Sequence, residues 1–94
     1  MSDYVKMEQI MKALASQTRL EILDHIQRGI TNAGEIALSM DRHRSSIHRH
    51  LRILADANVV KKIHAKTKQG KIVAIYSLEK NANVMIATLK HLAK

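Results

Sequence analysis

Between Asp41 and Leu54 the chain gathers the side chains best suited to reading a polyanion. Arg42, His43, Arg44, Ser45, Ser46, His48, Arg49 and Arg52 surround Ile47, Leu51 and Leu54. At helical period these three apolar residues fall at i, i+4 and i+7, one stripe that docks on a core. The polar residues crowd the other side with long cations and short hydroxyls. A guanidinium can make paired hydrogen bonds to a guanine edge, and serine or histidine can reach bases or phosphates. Such a helix suits a major groove. The plainer alternative is a solvated surface helix that is merely basic.

Other chemistries fare worse. Ser45 or Ser46, His48 and Asp41 have the residue types of a hydrolytic triad, but they crowd one helix and its turn on different faces. No glycine loop offers an oxyanion hole, so the chain is expected not to be an enzyme. With no cysteine in the sequence there is no disulfide, thiolate metal site or cysteine nucleophile, which fits a reducing cytosol. The six histidines are scattered, so no metal or other cofactor is expected.

Charge separates the two halves of the chain. Residues 1–40 hold four Lys/Arg against five acids, whereas residues 41–94 hold twelve against three. The whole surplus of +8 therefore lies from the basic helix onward and points to a polyanion-binding face. A membrane surface is a weaker partner, since Trp and Phe are absent. No apolar run approaches the roughly 18 residues of a membrane span, and no signal-peptide pattern opens the chain. A soluble protein working in the cytoplasm is expected. Ninety-four residues make one small domain with a modest core.

The positioning elements can be read in order. Ser2 is placed to cap a first helix carrying Tyr4, Met7, Met11 and Leu14 at spacings of three and four. Ser16 caps a second, Gln17 to Arg28, with Leu20, Leu23 and Ile26 inward, Ile22 beside them and Gly29 as its stop. Ile30-Thr31 suggests a short extended segment. Asn32, with Glu35 three positions on, opens a short third helix to about Ser39 whose apolar positions are Ile36, Ala37 and Met40. After the turn from Met40 to His43, the basic helix runs from Arg44 to Ala57, ended by Asn58. Two short helices joined by a tight turn make a helix-turn-helix candidate.

A β-hairpin follows, strands 59–66 and 71–78 about the turn Thr67-Lys68-Gln69-Gly70. Lys66, Lys68, Gln69 and Lys71 gather at its tip, and Lys61 and Lys62 lie on its first strand, where they could meet phosphates or a minor groove. Lysines also guard edge strands without any such role. A last helix, residues 80–93, carries Met85, Leu89 and Leu92 on one face with Val84 and Ile86 flanking. The expected architecture is mainly α with a β-hairpin wing.

The sequence resembles the ArsR/SmtB-type winged helix-turn-helix transcriptional regulators over most of its length. Residues 13–23, Ala-Leu-Ala-Ser-Gln-Thr-Arg-Leu-Glu-Ile-Leu, are similar to the family's ALADPTRLRIL stretch. Glu35-Ile36-Ala37 followed by Ser45-Ser46-Ile47-His48-Arg49-His50-Leu51 resembles ELA…STVSRHL, and Ala57-Asn58-Val59-Val60 resembles AGLV. The resemblance implies a homodimer joined through the first and last helices, with two recognition helices in successive major grooves of a near-palindromic duplex. Tyr4, Met7, Met11, Leu14, Met85, Leu89 and Leu92 would then form the dimer interface. Apolar stripes on both terminal helices agree independently, being more than one small core needs.

The chain departs from that family in three places. The cysteines of its metal sensors are missing, the last helix offers only His91 where zinc-sensing relatives place Asp/His and His/Glu pairs, and Asp41-Arg42-His43 stands where Gly-Leu-Ser is preferred. His50 matches a family position often engaged structurally. The expectation is a double-stranded-DNA-binding repressor in the cytoplasm, associated with the nucleoid and without a metal sensor. The rival is an architectural DNA-coating protein with little sequence preference.

Overall fold

A computed structural model describes residues 2–94, with side chains from Asp3 onward; the expected Ser2 cap lies outside the described side chains. Seven elements follow one another: α1 Ser2–Leu14, α2 Gln17–Gln27, α3 Ala33–Met40, α4 Arg44–Asp56, β1 Val60–Lys66, β2 Ile72–Leu78 and α5 Lys80–Leu92. Two helix starts, those of α2 and α3, have a local cause in a side-chain cap. The Ser16 hydroxyl accepts the Arg19 N–H at 3.2 Å. Asn32 Oδ1 accepts the N–H groups of Gly34 at 2.9 Å and Glu35 at 3.2 Å. Both satisfy first-turn donors that the helix itself cannot.

The three central helices end alike. Gly29, Asp41 and Asn58 each adopt a positive φ of 93°, 53° and 60°. In each case the next residue's N–H returns to a carbonyl of the last turn: Ile30 to His25, Arg42 to Ala37, Val59 to Leu54, all at 2.9 Å. This 6→1 closure needs a left-handed residue, which Gly supplies freely and Asp or Asn tolerates through a short polar side chain. Asp41 thus performs the task of the glycine preferred in the resembled family.

The buried centre comes from helices crossing the middle of the chain. Ile22, Leu23, Ile36, Ile47, Leu51 and Leu54 are fully buried, and Val59, Val60, Tyr76, Ala82 and Ile86 extend this core toward the hairpin and α5. The stripe of α4 lies where its spacing puts it. Leu20 does not face inward as expected; it is 39% exposed, and Ile22 takes the core position instead. Along α2 the buried line runs Ile22, Leu23, His25 and Ile26, so Leu20 lies at its rim.

β1 and β2 pair antiparallel, with Lys62 opposite Tyr76 and Lys66 opposite Ile72. The turn is fixed by Thr67, whose carbonyl accepts from Gly70 N–H at 2.9 Å and whose hydroxyl accepts from Lys71 N–H at 3.1 Å. Ile30 and Thr31 form no strand. The sheet has two strands among the described residues, and Thr31 contributes one bond, its carbonyl accepting the Tyr76 N–H at 2.9 Å. With a capped helix starting at Ala33, the segment is too short for a ladder. Glu79 N–H donates to the Val59 carbonyl at 3.0 Å and joins the base of the hairpin to the start of α5.

Candidate nucleic-acid interface

The buried stripe of α4 sets which of its side chains reach solvent. Ser45, His48, Arg49 and Arg52 are exposed, opposite Ile47, Leu51 and Leu54, and Ser46 is half-buried at the margin. Arg44, the first residue of the helix, is exposed too and leans toward α3. It precedes Ile47 by three positions and so leaves the helix on nearly the same side. Its guanidinium crosses to α3, and a Cβ built on Gly34 would lie only 2.6 Å from Arg44 Nη2. Arg42 and His43 are exposed in the turn; His43 precedes α4 in an extended conformation and makes no side-chain cap bond.

In the hairpin, Lys66, Lys68, Gln69 and Lys71 are all exposed around the tip. Lys61 and Lys62 are exposed as well but, as neighbours on a strand, point to opposite faces. Lys62 shares the face of Tyr76, Lys61 that of Ser77.

The cations of this region are free of acidic partners. Among the described residues the ion pairs are Lys12–Glu8, Arg28–Asp24 and Lys90–Asp24, none of which involves residues 41–71. Nine Lys/Arg in that stretch, against Asp41 and Asp56 alone, therefore leave a large surplus of positive charge. Such a surface attracts a polyanion over a distance set by ionic strength.

Arg19 is a residue whose importance the sequence hides. Its Nε donates to the Ala13 carbonyl at 2.6 Å and its Nη2 to the Lys12 carbonyl at 3.2 Å, closing the end of α1. Its Nη1 lies 3.1 Å from Nδ1 of His50, in the middle of α4. His25, also unremarked in the sequence, is buried; its Nδ1–H donates to the Glu21 carbonyl at 2.8 Å and its Nε2 meets the Ser39 hydroxyl at 2.9 Å, tying α2 to α3. A polar residue inside the apolar line Ile22–Leu23–Ile26 was the available signal.

On the far side, Tyr4, Met7, Met11 and Leu92 are exposed, Leu89 is 41% exposed and Met85 half-buried. Leu14 is buried within the chain. Met11, Leu14, Leu20, Met85 and Leu89 line a groove of about 530 Å³ between α1, α2 and α5. Tyr4 and Met7 line an adjoining depression that shares Met11. Among the described residues no cluster of His, Cys, Asp or Glu could hold a metal ion, and no helix is long and apolar enough to cross a membrane.

A basic helix presented by a tight turn from a preceding helix, followed at once by a β-hairpin, defines a winged helix-turn-helix. The chain belongs to the helix-turn-helix domain family, whose model matches residues 14–63. It is 43% identical over 58 residues to the arsenical resistance operon repressor of Bacillus subtilis, 61% of this chain and 55% of that protein. It is 39% identical over 54 residues to the transcriptional repressor SdpR of the same organism, 57% of this chain and 60% of that protein. The chain thus spans little more than half the length of these curated relatives. In fold it is similar to a homodimeric winged helix-turn-helix DNA-binding domain from Mycobacterium bovis, described as a possible ArsR-family transcriptional regulator. That likeness has a TM-score of 0.86 at 20% identity and covers 98% of this chain and 82% of the other.

Proposed function

We propose that this chain is a transcriptional regulator, a repressor, that binds double-stranded DNA as a homodimer at a near-palindromic site. It is a binding protein of the cytoplasm, associated with the nucleoid, and not an enzyme. The supporting observation is α4 itself: Ile47, Leu51 and Leu54 are fully buried while Ser45, His48, Arg49 and Arg52 stand exposed without acidic partners. The names of both curated relatives point the same way. In this reading Arg42, His43, Ser45, Ser46, His48 and Arg49 face the major groove, and Arg44 approaches it from the α3 side. Arg52 and the wing residues Lys61, Lys62, Lys66, Lys68, Gln69 and Lys71 hold phosphates or the minor groove. Tyr4, Met7, Met11, Leu14, Met85, Leu89 and Leu92 meet the second copy.

The spread of nine free cations over helix and wing favours one rival, an architectural protein that coats DNA. Genome-wide occupancy separates the two. A few sharp peaks sharing a two-fold-symmetric sequence are expected; a broad carpet replaces the regulator with the architectural protein.

A further inference from the structure

The contact between Arg19 and His50 joins the middle of the basic helix to the junction of α1 and α2, across 31 positions of sequence. A guanidinium can only donate, so the lone pair of His50 Nδ1 must accept, and the ring proton sits on Nε2. The two other guanidinium bonds of Arg19, to the carbonyls of Ala13 and Lys12, fix it as a bracket on the end of α1. His50 is half-buried and adjoins Leu51, one of the fully buried residues of the stripe. Whatever holds the His50 ring therefore also helps hold the seat of α4.

We propose that the Arg19–His50 contact is a proton-sensitive latch that positions the recognition helix, so that duplex binding weakens when His50 takes up a proton. Protonation removes the Nδ1 lone pair and sets N–H against N–H and cation against cation. The surroundings offer no relief. Burial, then Arg19 from α2, Arg49 from α4 and Arg42 from the preceding turn all push the His50 pKa below its ordinary value. No carboxylate from α1, α3 or β1 acts on it. His43, His48 and His64 are exposed and take no part in this contact. His50 is therefore the residue through which acid opposes binding.

This latch rests on the proposed DNA-binding function, and its test keeps the two separable. Affinity for duplex DNA is measured by fluorescence anisotropy from about pH 8 to about pH 4.5, a range that extends about two units below the ordinary histidine pKa, for the wild type and for His50→Asn. Asparagine offers Oδ1 near the position of Nδ1, an acceptor that does not titrate. Relative to the variant, the wild type is expected to lose affinity about two- to tenfold at the acid end, the equivalent of one hydrogen bond. Parallel pH profiles overturn the latch. Nitrogen NMR of the wild-type ring gives a second reading that needs no variant. The expected result is an Nε2–H tautomer titrating below an ordinary histidine; an Nδ1–H tautomer or an ordinary midpoint overturns the contact. Absence of duplex binding at every pH instead defeats the DNA-binding function, and the latch's effect on binding falls with it, while the NMR result still decides the contact.

Discussion

Lys90 Nζ lies 3.1 Å from Asp24 Oδ1, and this pair, with Gln27 Oε1 at 3.0 Å from the same amine, fastens α5 onto α2. The hydrogen bond from Lys90 holds the Asp24 carboxyl below its usual range, with burial opposing and the charges of Lys90, Arg28 and His25 assisting. Both side chains are close to half exposed, so solvent screens the pair, and it contributes at most about 1 kcal/mol. A lowered carboxylate pKa stabilises the fold above the ordinary carboxylate range and loses that effect as pH falls through the folded-state value. Lys90→Ala should therefore lower urea stability slightly at about pH 7, and the difference should shrink by about pH 2, where the carboxylate is protonated and the bond to Gln27 remains. A difference undiminished in acid would assign Lys90 a role other than pairing with Asp24.

The exposed apolar groove between the terminal helices leads to a prediction about mass. Light scattering at micromolar concentration should give about twice the 10.6 kDa of one chain. Leu89→Asp places a charge in the groove and should yield a monomer that keeps its helical circular dichroism. A wild-type monomer, or a Leu89→Asp dimer, contradicts the assigned interface.

Base contacts and phosphate contacts should fail differently. Arg49→Ala should cost roughly 1–3 kcal/mol on the preferred duplex and relax preference at one base pair. Lys68→Ala, at the wing tip, should weaken preferred and scrambled duplexes equally and flatten the salt dependence by about one counterion. Affinities of both variants for both duplexes across a salt series decide this. Equal weakening by Arg49→Ala would remove that residue from base readout.

The left-handed helix ends make a stability prediction. Asn58 holds φ at 60°, where a β-carbon without a polar partner is disfavoured. Asn58→Ala should destabilise by about 1 kcal/mol, whereas Asn58→Gly should be neutral or slightly stabilising. Chemical denaturation of the two variants provides the comparison, and equal stabilities would mean that the turn relaxes to a different backbone.

Legibility in the sequence followed the range of the interactions. Ser16, Asn32, Asn58 and Gly70 act within a few residues of themselves, and the boundaries they set were readable. The stripe of α4 was readable too, because a period over eight residues leaves little choice of face. Leu20 was misjudged because periodicity gives the axis of a helix face but not its width, and Ile22 outcompeted it. The α1–α5 groove, with Leu20 on its wall, needed the packing of three helices. Arg19 lies in the stretch that resembles the family motif, yet its task is not legible there, since two of its partners are backbone carbonyls and the third is far along the chain. Arg44 is exposed as its place in the basic stretch implies, and only the lean of its guanidinium toward Gly34 needed the packing of α3 against α4.

The bond from Glu79 N–H to the Val59 carbonyl leaves no slack between the wing and α5. One residue separates β2 from that helix, and its own amide is spent on the root of β1. In a symmetric pair joined through the terminal helices, the two wings then behave like the jaws of a caliper whose pivot is the seam between the copies. The reach from one wing tip to the other becomes a fixed dimension of the assembly, and a change in how the copies cross is transmitted to that span.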